Sequence, residues 1–166
     1  WCVVYSPDGQ RVMTASADRT LKLWSVHSGK SLATFTGSTA GVTVAVFSPD
    51  GSRILAGGDT HLRLHDAANG KTIRSFDGHT RPITAAAFSA DGNTLVTVGD
   101  DAKVLVWDVR GARPRATFSG HGGRIAGVGL SADGRTAYSA SFDGTVIAWD
   151  LAGSRRLGQP FAAAPE

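Results

Sequence analysis

The chain has 166 residues, of which 42% are hydrophobic and 19% are charged, so its composition is that of a globular domain rather than a disordered segment. No apolar run approaches the ~20 residues that a bilayer span needs, which excludes transmembrane anchoring. The single cysteine, Cys2, excludes an internal disulfide framework and a zinc site built from cysteines. The net charge of +3 is small, and the 21 glycines indicate frequent turns.

A short phrase, Ser-Pro/Ala-Asp-Gly, recurs four times along the chain, and its aspartates are 42, 41 and 42 residues apart. Two other sequence markers recur at nearly the same spacing. One is the aromatic series Trp24, His65, Trp107 and Trp149, and the other is a Gly-Ser or Gly-His pair at 37–38, 78–79 and 120–121. A period of this length indicates stacked supersecondary units.

Each repeat predicts four short antiparallel strands. An apolar run such as VVY leads into the Asp-Gly turn, and alternating, β-branched stretches such as RVMTAS, KVLVW and TVIAW follow. Asp-Gly, Ser-Gly and Asn-Gly pairs between these stretches supply hairpin turns. The sequence therefore predicts an all-β chain of four four-stranded units, at about residues 1–36, 42–77, 83–119 and 125–161, with a linker at 162–166.

The Gly-His pairs, an Asp six residues before a Trp, and the Trp-Asp dipeptides at 107–108 and 149–150 closely resemble the WD40 repeat of β-propellers. The resemblance implies that each unit is a propeller blade with a buried, hydrogen-bonded tetrad of His, Ser/Thr, Asp and Trp. Matched by position, the third repeat carries His79, Thr97, Asp101 and Trp107, the fourth carries His121, Ser139, Asp143 and Trp149, and the first carries Thr14, Asp18 and Trp24.

The second repeat departs from this pattern. Ser38 takes the place of His, Leu55 that of the hydroxyl residue and His65 that of Trp, while Asp59 is kept. A half-satisfied buried polar network costs more than none, so loss of the partners together is physically consistent. We expect this blade to be the least stable of the four.

The number of repeats also bears on assembly. The resemblance implies a closed ring of about seven blades, whereas four repeats are present here. An open stack would expose sheet edges and an apolar flank. We therefore expect the chain, which opens at Trp1 within a strand-like run, to be an excerpt of a larger propeller. Two copies joined into one ring are the less favoured alternative.

The sequence predicts no catalytic, cofactor-binding or metal site. Ser, His and Asp recur in the repeats beside a Trp, which favours a structural network over a nucleophilic triad. The Gly-Lys-Ser/Thr triplets at 29–31 and 70–72 lack the upstream glycine of a phosphate-binding loop. His61 and His65, four positions apart on a strand, would be ~13 Å apart, too far to share a metal ion. A propeller hydrolase whose site lies outside this segment is the alternative.

Arginines gather at 110–115 and at 155–156, which predicts a basic outer rim. A solvated rim is favoured over weak nucleic-acid binding, because no aromatic residues for base stacking are interleaved with the arginines. Cys2 falls on a predicted inner strand, and we expect it to be a buried core thiol.

Candidate interaction residues lie in the loops before the inner strand and between the second and third strands, where the resemblance implies that partners dock. Exposed Trp, Phe and Arg dominate binding hot spots, so Trp1, Arg124 and Phe142 are predicted to bind a partner, with Asp100 as a charged contributor. The alternative for Trp1 is packing against a neighbouring blade. The resemblance implies a non-catalytic scaffold or sensor whose partners are proteins and neighbouring blades.

The Ala/Arg/Gly-rich style and the ending DGTVIAWDLAGSRRLGQPF are similar to WD40 arrays at the C-terminus of large bacterial signalling ATPases and transcription regulators. This resemblance implies a cytoplasmic sensor or autoinhibitory segment, with no membrane contact and with any nucleotide or DNA contact outside residues 1–166.

Overall fold

The computed structural model describes residues 2–36, 41–111 and 113–162. Every regular element in this part of the chain is a strand. The described residues contain no helix long and apolar enough to cross a membrane. The chain divides into two compact units, residues 1–77 and 78–166, and each unit holds two four-stranded antiparallel sheets. The predicted all-β chain of four four-stranded repeats is thereby confirmed.

In both units the sheets are meanders, in which each strand pairs with the next one along the chain. The first sheet contains β1 (Cys2–Tyr5), β2 (Arg11–Ala15), β3 (Leu21–Ser25) and β4 (Ser31–Phe35), and the second contains β5 (Val44–Phe47), β6 (Arg53–Gly57), β7 (His61–Asp66) and β8 (Thr72–Asp77).

The second unit follows the same plan. Its third sheet contains β9 (Ile83–Phe88), β10 (Thr94–Gly99), β11 (Lys103–Asp108) and β12 (Pro114–Ser119), and its fourth contains β13 (Ile125–Leu130), β14 (Thr136–Ser141), β15 (Thr145–Asp150) and β16 (Arg155–Ala162). Strand β16 ends one residue inside the segment expected to be a linker, and residues 163–166 lie outside the described part of the chain.

The repeated Ser-Pro/Ala-Asp-Gly phrase forms the same turn each time, between the first and second strands of a sheet. In the first sheet the Ser6 hydroxyl donates to Asp8 at 2.5 Å and accepts the backbone N–H of Arg11 at 2.9 Å. Gly9 has φ of +68°, which a residue with a side chain adopts only with strain. Equivalent Ser–Asp hydrogen bonds occur at Ser48, Ser89 and Ser131. The phrase therefore fixes the hairpin that opens each sheet.

The core of the first unit lies between its two sheets, because alternate residues of each strand point to the facing sheet. It includes Met13, Leu21, Leu23 and Phe35 from the first sheet and Ala45, Phe47, Ile54 and Ala56 from the second. The expectation that Cys2 is a buried core thiol holds only in part. Its side chain is half-buried at the margin of this cluster, with Sγ 3.7 Å from the carbonyl oxygen of Ala45.

The core of the second unit is built in the same way. It includes Val96, Val98, Val104, Val106 and Phe118 from the third sheet and Ile125, Ala137, Ile147, Trp149 and Leu151 from the fourth. The rings of Phe118 and Trp149 stack with their centres 5.1 Å apart. The Thr84 hydroxyl donates to the carbonyl oxygen of Ile125 at 2.5 Å, and this bond connects the inner strands β9 and β13.

Candidate interaction surface

The third sheet brings together the four tetrad residues predicted for the third repeat. The indole Nε1 of Trp107 donates to Oγ1 of Thr97 at 2.9 Å, and Nε2 of His79 lies 2.8 Å from the same oxygen. Nδ1 of His79 lies 3.0 Å from each carboxylate oxygen of Asp101. Because Thr97 and Trp107 are almost completely buried, these hydrogen bonds satisfy polar groups that water does not reach.

The fourth sheet repeats the arrangement with Ser in place of Thr. Nε1 of Trp149 donates to Oγ of Ser139 at 2.7 Å, and Nε2 of His121 lies 2.8 Å from that oxygen. Nδ1 of His121 lies 2.9 Å from Asp143. An ionised carboxylate only accepts hydrogen bonds, so Nδ1 of His121 donates to Asp143. The Ser139 hydroxyl thus bonds two buried partners, the indole of Trp149 and the imidazole of His121.

Burial is the largest single influence on the pKa values of His79, Asp101 and Asp143. It holds the pKa of His79 below its ordinary value, and the hydrogen bond to Asp101 offsets this only in part. For the carboxyl groups of Asp101 and Asp143, burial acts to raise the pKa. Hydrogen bonds from backbone N–H groups, the imidazoles and, for Asp143, the Thr145 hydroxyl outweigh burial and lower the pKa of both. Neutral His79 therefore donates to an ionised Asp101.

The first sheet contains part of the pattern. Nε1 of Trp24 donates to Oγ1 of Thr14 at 2.9 Å. Asp18 accepts the backbone N–H of Thr20 at 2.9 Å and its hydroxyl at 2.6 Å, so this carboxylate orders the turn between β2 and β3. The structure therefore joins two of the three predicted residues directly and holds the third in the adjacent turn.

In the second sheet the strand register corrects one assignment. The hydroxyl position of the tetrad is defined in the other sheets by the cross-strand pairs Thr14 with Lys22, Thr97 with Leu105, and Ser139 with Ile147. The residue that pairs with Arg63, the counterpart of those partners, is Ala56. The expectation that Leu55 replaces the hydroxyl residue is wrong, since Leu55 pairs with Leu64 and is fully buried. Ser38 lies outside the described residues.

The register differs because four residues separate the paired Gly57 and Leu62 at the turn between β6 and β7, whereas five separate the equivalent pair Val98 and Val104 in the third sheet. The hydroxyl residue and the Trp are 10 positions apart in the other three sheets, whereas Ala56 and His65 are 9 apart. Two glycines permit the tighter link. A Cβ on Gly57 would collide with the carbonyl oxygen of His61, and a Cβ on Gly58 would collide with that of Gly41.

Three of the four predicted interaction residues lie together in the second unit. Nε of Arg124 lies 3.0 Å from Oδ1 of Asp100, and its guanidinium carbon lies 5.3 Å from the centre of the Phe142 ring. The backbone N–H of Phe142 and the Ser141 hydroxyl both donate to the carbonyl oxygen of Arg124, at 2.9 and 2.8 Å. The fourth residue, Trp1, lies outside the described part of the chain.

The contact between Asp100 and Arg124 is an ion pair and not an aligned hydrogen bond. Oδ1 of Asp100 is buried, and no donor among the described residues approaches it at a hydrogen-bonding angle. The Arg124 side chain is 56% exposed, so the pair is screened by water and stabilises the fold by at most ~1 kcal/mol. The same guanidinium lies over the Phe142 ring, an arrangement with favourable cation–π attraction.

A shallow open cleft adjoins these residues. It is lined by Arg81, Asp100, Asp101, Ala102, Gly122, Gly123 and Arg124. Sequence reasoning missed Arg81, although its place directly before Pro82, in the loop that enters β9, was the available signal. We call Asp100, Arg124 and Phe142 the Arg124 surface.

The predicted basic rim carries partly compensated charge. Arg110 Nε lies 3.9 Å from Asp108, and Arg155 Nε lies 3.5 Å from Asp150. In the part of the chain that the structure describes, no group of three or more His, Cys, Asp or Glu side chains is arranged to hold a metal ion. His61 is exposed and pairs with Asp77 at 2.6 Å.

Comparisons with known proteins agree with the repeat pattern. The family described as WD40 (WD domain, G-beta repeat) matches four stretches of the chain, residues 1–25, 29–66, 70–108 and 112–150. Each matched stretch ends on the last residue of the third strand of a sheet, directly after the Trp or His position. Together the matches cover most of the sequence.

Shorter similarities exist to individual proteins. A stretch of 55 residues is 42% identical to periodic tryptophan protein 2 of Arabidopsis thaliana and covers 33% of this chain and 6% of that protein. Stretches of 56 residues are 38% identical to a WD repeat-containing protein of Synechocystis sp. and 45% identical to eukaryotic translation initiation factor 3 subunit I of Aspergillus fumigatus. These two cover 33% and 34% of this chain, and each spans 16% of the relative.

Proposed function

Because the chain belongs to the WD40 repeat family, we propose that it is a non-catalytic module that binds a protein partner through the Arg124 surface. The observation that carries this proposal is the position of Phe142, which is 74% exposed and contacts the guanidinium of Arg124. An exposed aromatic ring costs free energy in water, and burial of such a ring beside an arginine is typical of the centre of a protein interface.

The pairing of Arg124 with Asp100 supports the same proposal. A guanidinium already oriented by a carboxylate and a ring loses less side-chain freedom when a partner binds. The neighbouring cleft, with Arg81 on its border, offers further polar contacts around the aromatic centre. This distribution, apolar in the middle and charged around it, is typical of protein–protein interfaces.

Phe142→Ala and Arg124→Ala test the proposal. Partners recovered with the wild-type protein from cells of its source should be lost with Phe142→Ala and reduced with Arg124→Ala. Phe161→Ala removes an aromatic ring that is 63% exposed on β16, and Arg110→Ala removes an exposed, paired arginine of the rim. These two matched controls should retain the partners. Equal loss in Phe161→Ala and Phe142→Ala would show that the binding surface lies elsewhere.

We further propose that the module acts in the cytoplasm within a larger bacterial signalling or regulatory protein. The support is the Ala/Arg/Gly-rich composition and the ending DGTVIAWDLAGSRRLGQPF, which are similar to WD40 arrays of such proteins. Sequencing of the coding DNA on both sides of this segment tests it, since nucleotide-binding and DNA-binding segments upstream are expected. Flanking segments of another kind would contradict the regulatory setting but would leave the Arg124 surface unaffected.

A further inference from the structure

A cleft in the first unit lies where the second sheet departs from the tetrad pattern. Its lining comes from both sheets of that unit: Arg19, Leu21, Phe35, Thr36 and Val42, then Ala56, Gly57, Arg63 and His65. Its volume is about 290 Å³ with the open mouth included, and its enclosed part admits a group about the size of one water molecule. No function assigned above uses this cleft.

The cleft has a clear origin in the strand register. The third sheet fills the corresponding positions with Thr97, Leu105 and Trp107, all buried, whereas the second sheet carries Ala56, Arg63 and His65. Two of these replacements, Thr by Ala and Trp by His, remove volume, and the third places a cation where its counterparts in the third and fourth sheets are Leu105 and Ile147. The same substitutions therefore open the space and charge it.

The residues that line the cleft carry positive charge and include no carboxylate. Neither Arg19 nor Arg63 has a carboxylate within ion-pair distance among the residues that the structure describes, and no lining residue is acidic. Phe35 contacts the His65 ring edge-on at a centre distance of 5.5 Å and forms an apolar wall. Two arginines in the lining, beside an apolar wall, favour an anion, because the partial burial of Arg63 strengthens the charge-assisted hydrogen bonds that it can donate.

The backbone gives Arg19 a defined place at the mouth. It has φ of +69°, a left-handed conformation that Ala102 and Gly144 adopt at the corresponding turns of the third and fourth sheets. This conformation strains an arginine, whereas glycine adopts it without strain. The turn nevertheless places Arg19 in the lining of the cleft.

We propose that the cleft binds a small oxyanion, a phosphate or carboxylate group, between the guanidinium groups of Arg19 and Arg63. One oxygen of the anion enters the enclosed part beside His65, and the remainder stays at the open mouth. Planar guanidinium groups match the oxygen spacing of phosphate and carboxylate, which compact cations do not. The cleft shares no residue with the Arg124 surface, and this proposal does not depend on the function proposed for that surface.

Inorganic phosphate and acetate are the probes, each titrated into the 166-residue protein at constant ionic strength with chloride as the balancing anion. The His65 ring resonances, followed by NMR, should shift and saturate. Arg63→Leu and Arg19→Gly should each weaken the apparent affinity about tenfold, the loss expected for one charge-assisted hydrogen bond. Lys22→Ala, at the position of the first sheet that corresponds to Arg63, should leave the titration unchanged.

Both variants install residue types that the sibling sheets already carry, Leu105 and Gly144, so circular dichroism should show the wild-type fold. Saturation with phosphate alone assigns the site to phosphate groups, and saturation with both probes extends it to carboxylates. A shift that stays linear with both probes overturns the proposal. An equal response in wild type, Arg63→Leu and Arg19→Gly also overturns it, because the shift would then come from general ionic effects.

Discussion

Removal of one hydroxyl group from the fourth sheet should be among the most costly small substitutions in this protein. Ser139→Ala deletes the oxygen that accepts the Trp149 indole N–H at 2.7 Å and that bonds His121 Nε2 at 2.8 Å. All three residues are buried, and Ser139 has no exposed surface. Each orphaned buried polar group costs ~1–3 kcal/mol, so the free energy of unfolding should fall by about 2–4 kcal/mol.

Ser131→Ala is the matched control, because it makes the same chemical change in the same sheet. The Ser131 hydroxyl donates to Asp133 and accepts the N–H of Thr136 in a turn open to water, so its loss should cost about 1 kcal/mol or less. Urea denaturation followed by circular dichroism measures both variants, and hydrogen exchange of the β14 amides reports locally. If Ser139→Ala were no more destabilising than Ser131→Ala, the tetrad would not be a cooperative buried network.

Three further outcomes are expected. Gly58→Ala should lower the melting temperature because its Cβ has no room beside Gly41, whereas Gly127→Ala, where no atom lies within 4 Å of the added Cβ, should not. The pKa of His79 is lowered in the folded state, so its ring should titrate by NMR below pH 6.5. The contribution of neutral His79 to the free energy of unfolding is therefore complete above pH 6.5 and is lost as pH falls through the pKa of the folded state. The Ser89 hydroxyl and two bonds from Asn93 lower the pKa of Asp91 to about 2, so the stability advantage of wild type over Asp91→Asn should shrink as pH falls from about 4 to about 2.

The architecture could be predicted from the sequence because its signals are local and repeated. Strand alternation and the Ser-x-Asp-Gly turns depend on neighbouring residues, and every repeat provides them again. The tetrad residues of the third and fourth repeats were predicted by position, and the structure brings each set within hydrogen-bonding distance. Whether each contributes as proposed to stability is what Ser139→Ala examines.

The second sheet shows where position matching fails. Counting back ten positions from His65 assigns Leu55 to the hydroxyl position. The turn after β6 is one residue shorter than in the other sheets, so Ala56 occupies that position. The sequence held a signal for this. The step from Asp8 to Asp50 is 42 residues and that from Trp24 to His65 is 41, which locates a deletion between Asp50 and His65.

Contacts between distant side chains were beyond sequence reasoning. Arg124 and Phe142 were each predicted as exposed interaction residues, but the stacking of one on the other depends on the loop geometry before β13 and after β14. The cleft beside Arg19 and Arg63 is a clearer case. Its two arginines belong to different sheets, and neither residue alone departs from an ordinary surface composition.

The serine-aspartate turns also bear on the order of folding. Their hydrogen bonds join residues only 2 and 5 positions apart, so the loop that must close is short and its entropy cost is small. The tetrad bonds span 10, 18 and 22 positions, so they close longer loops than the turns do. We expect four separate nucleation points, one for each hairpin, with the buried networks forming late. Kinetic φ-values near one at Ser48 and near zero at Thr97 would support this order of folding, and the reverse ranking would contradict it.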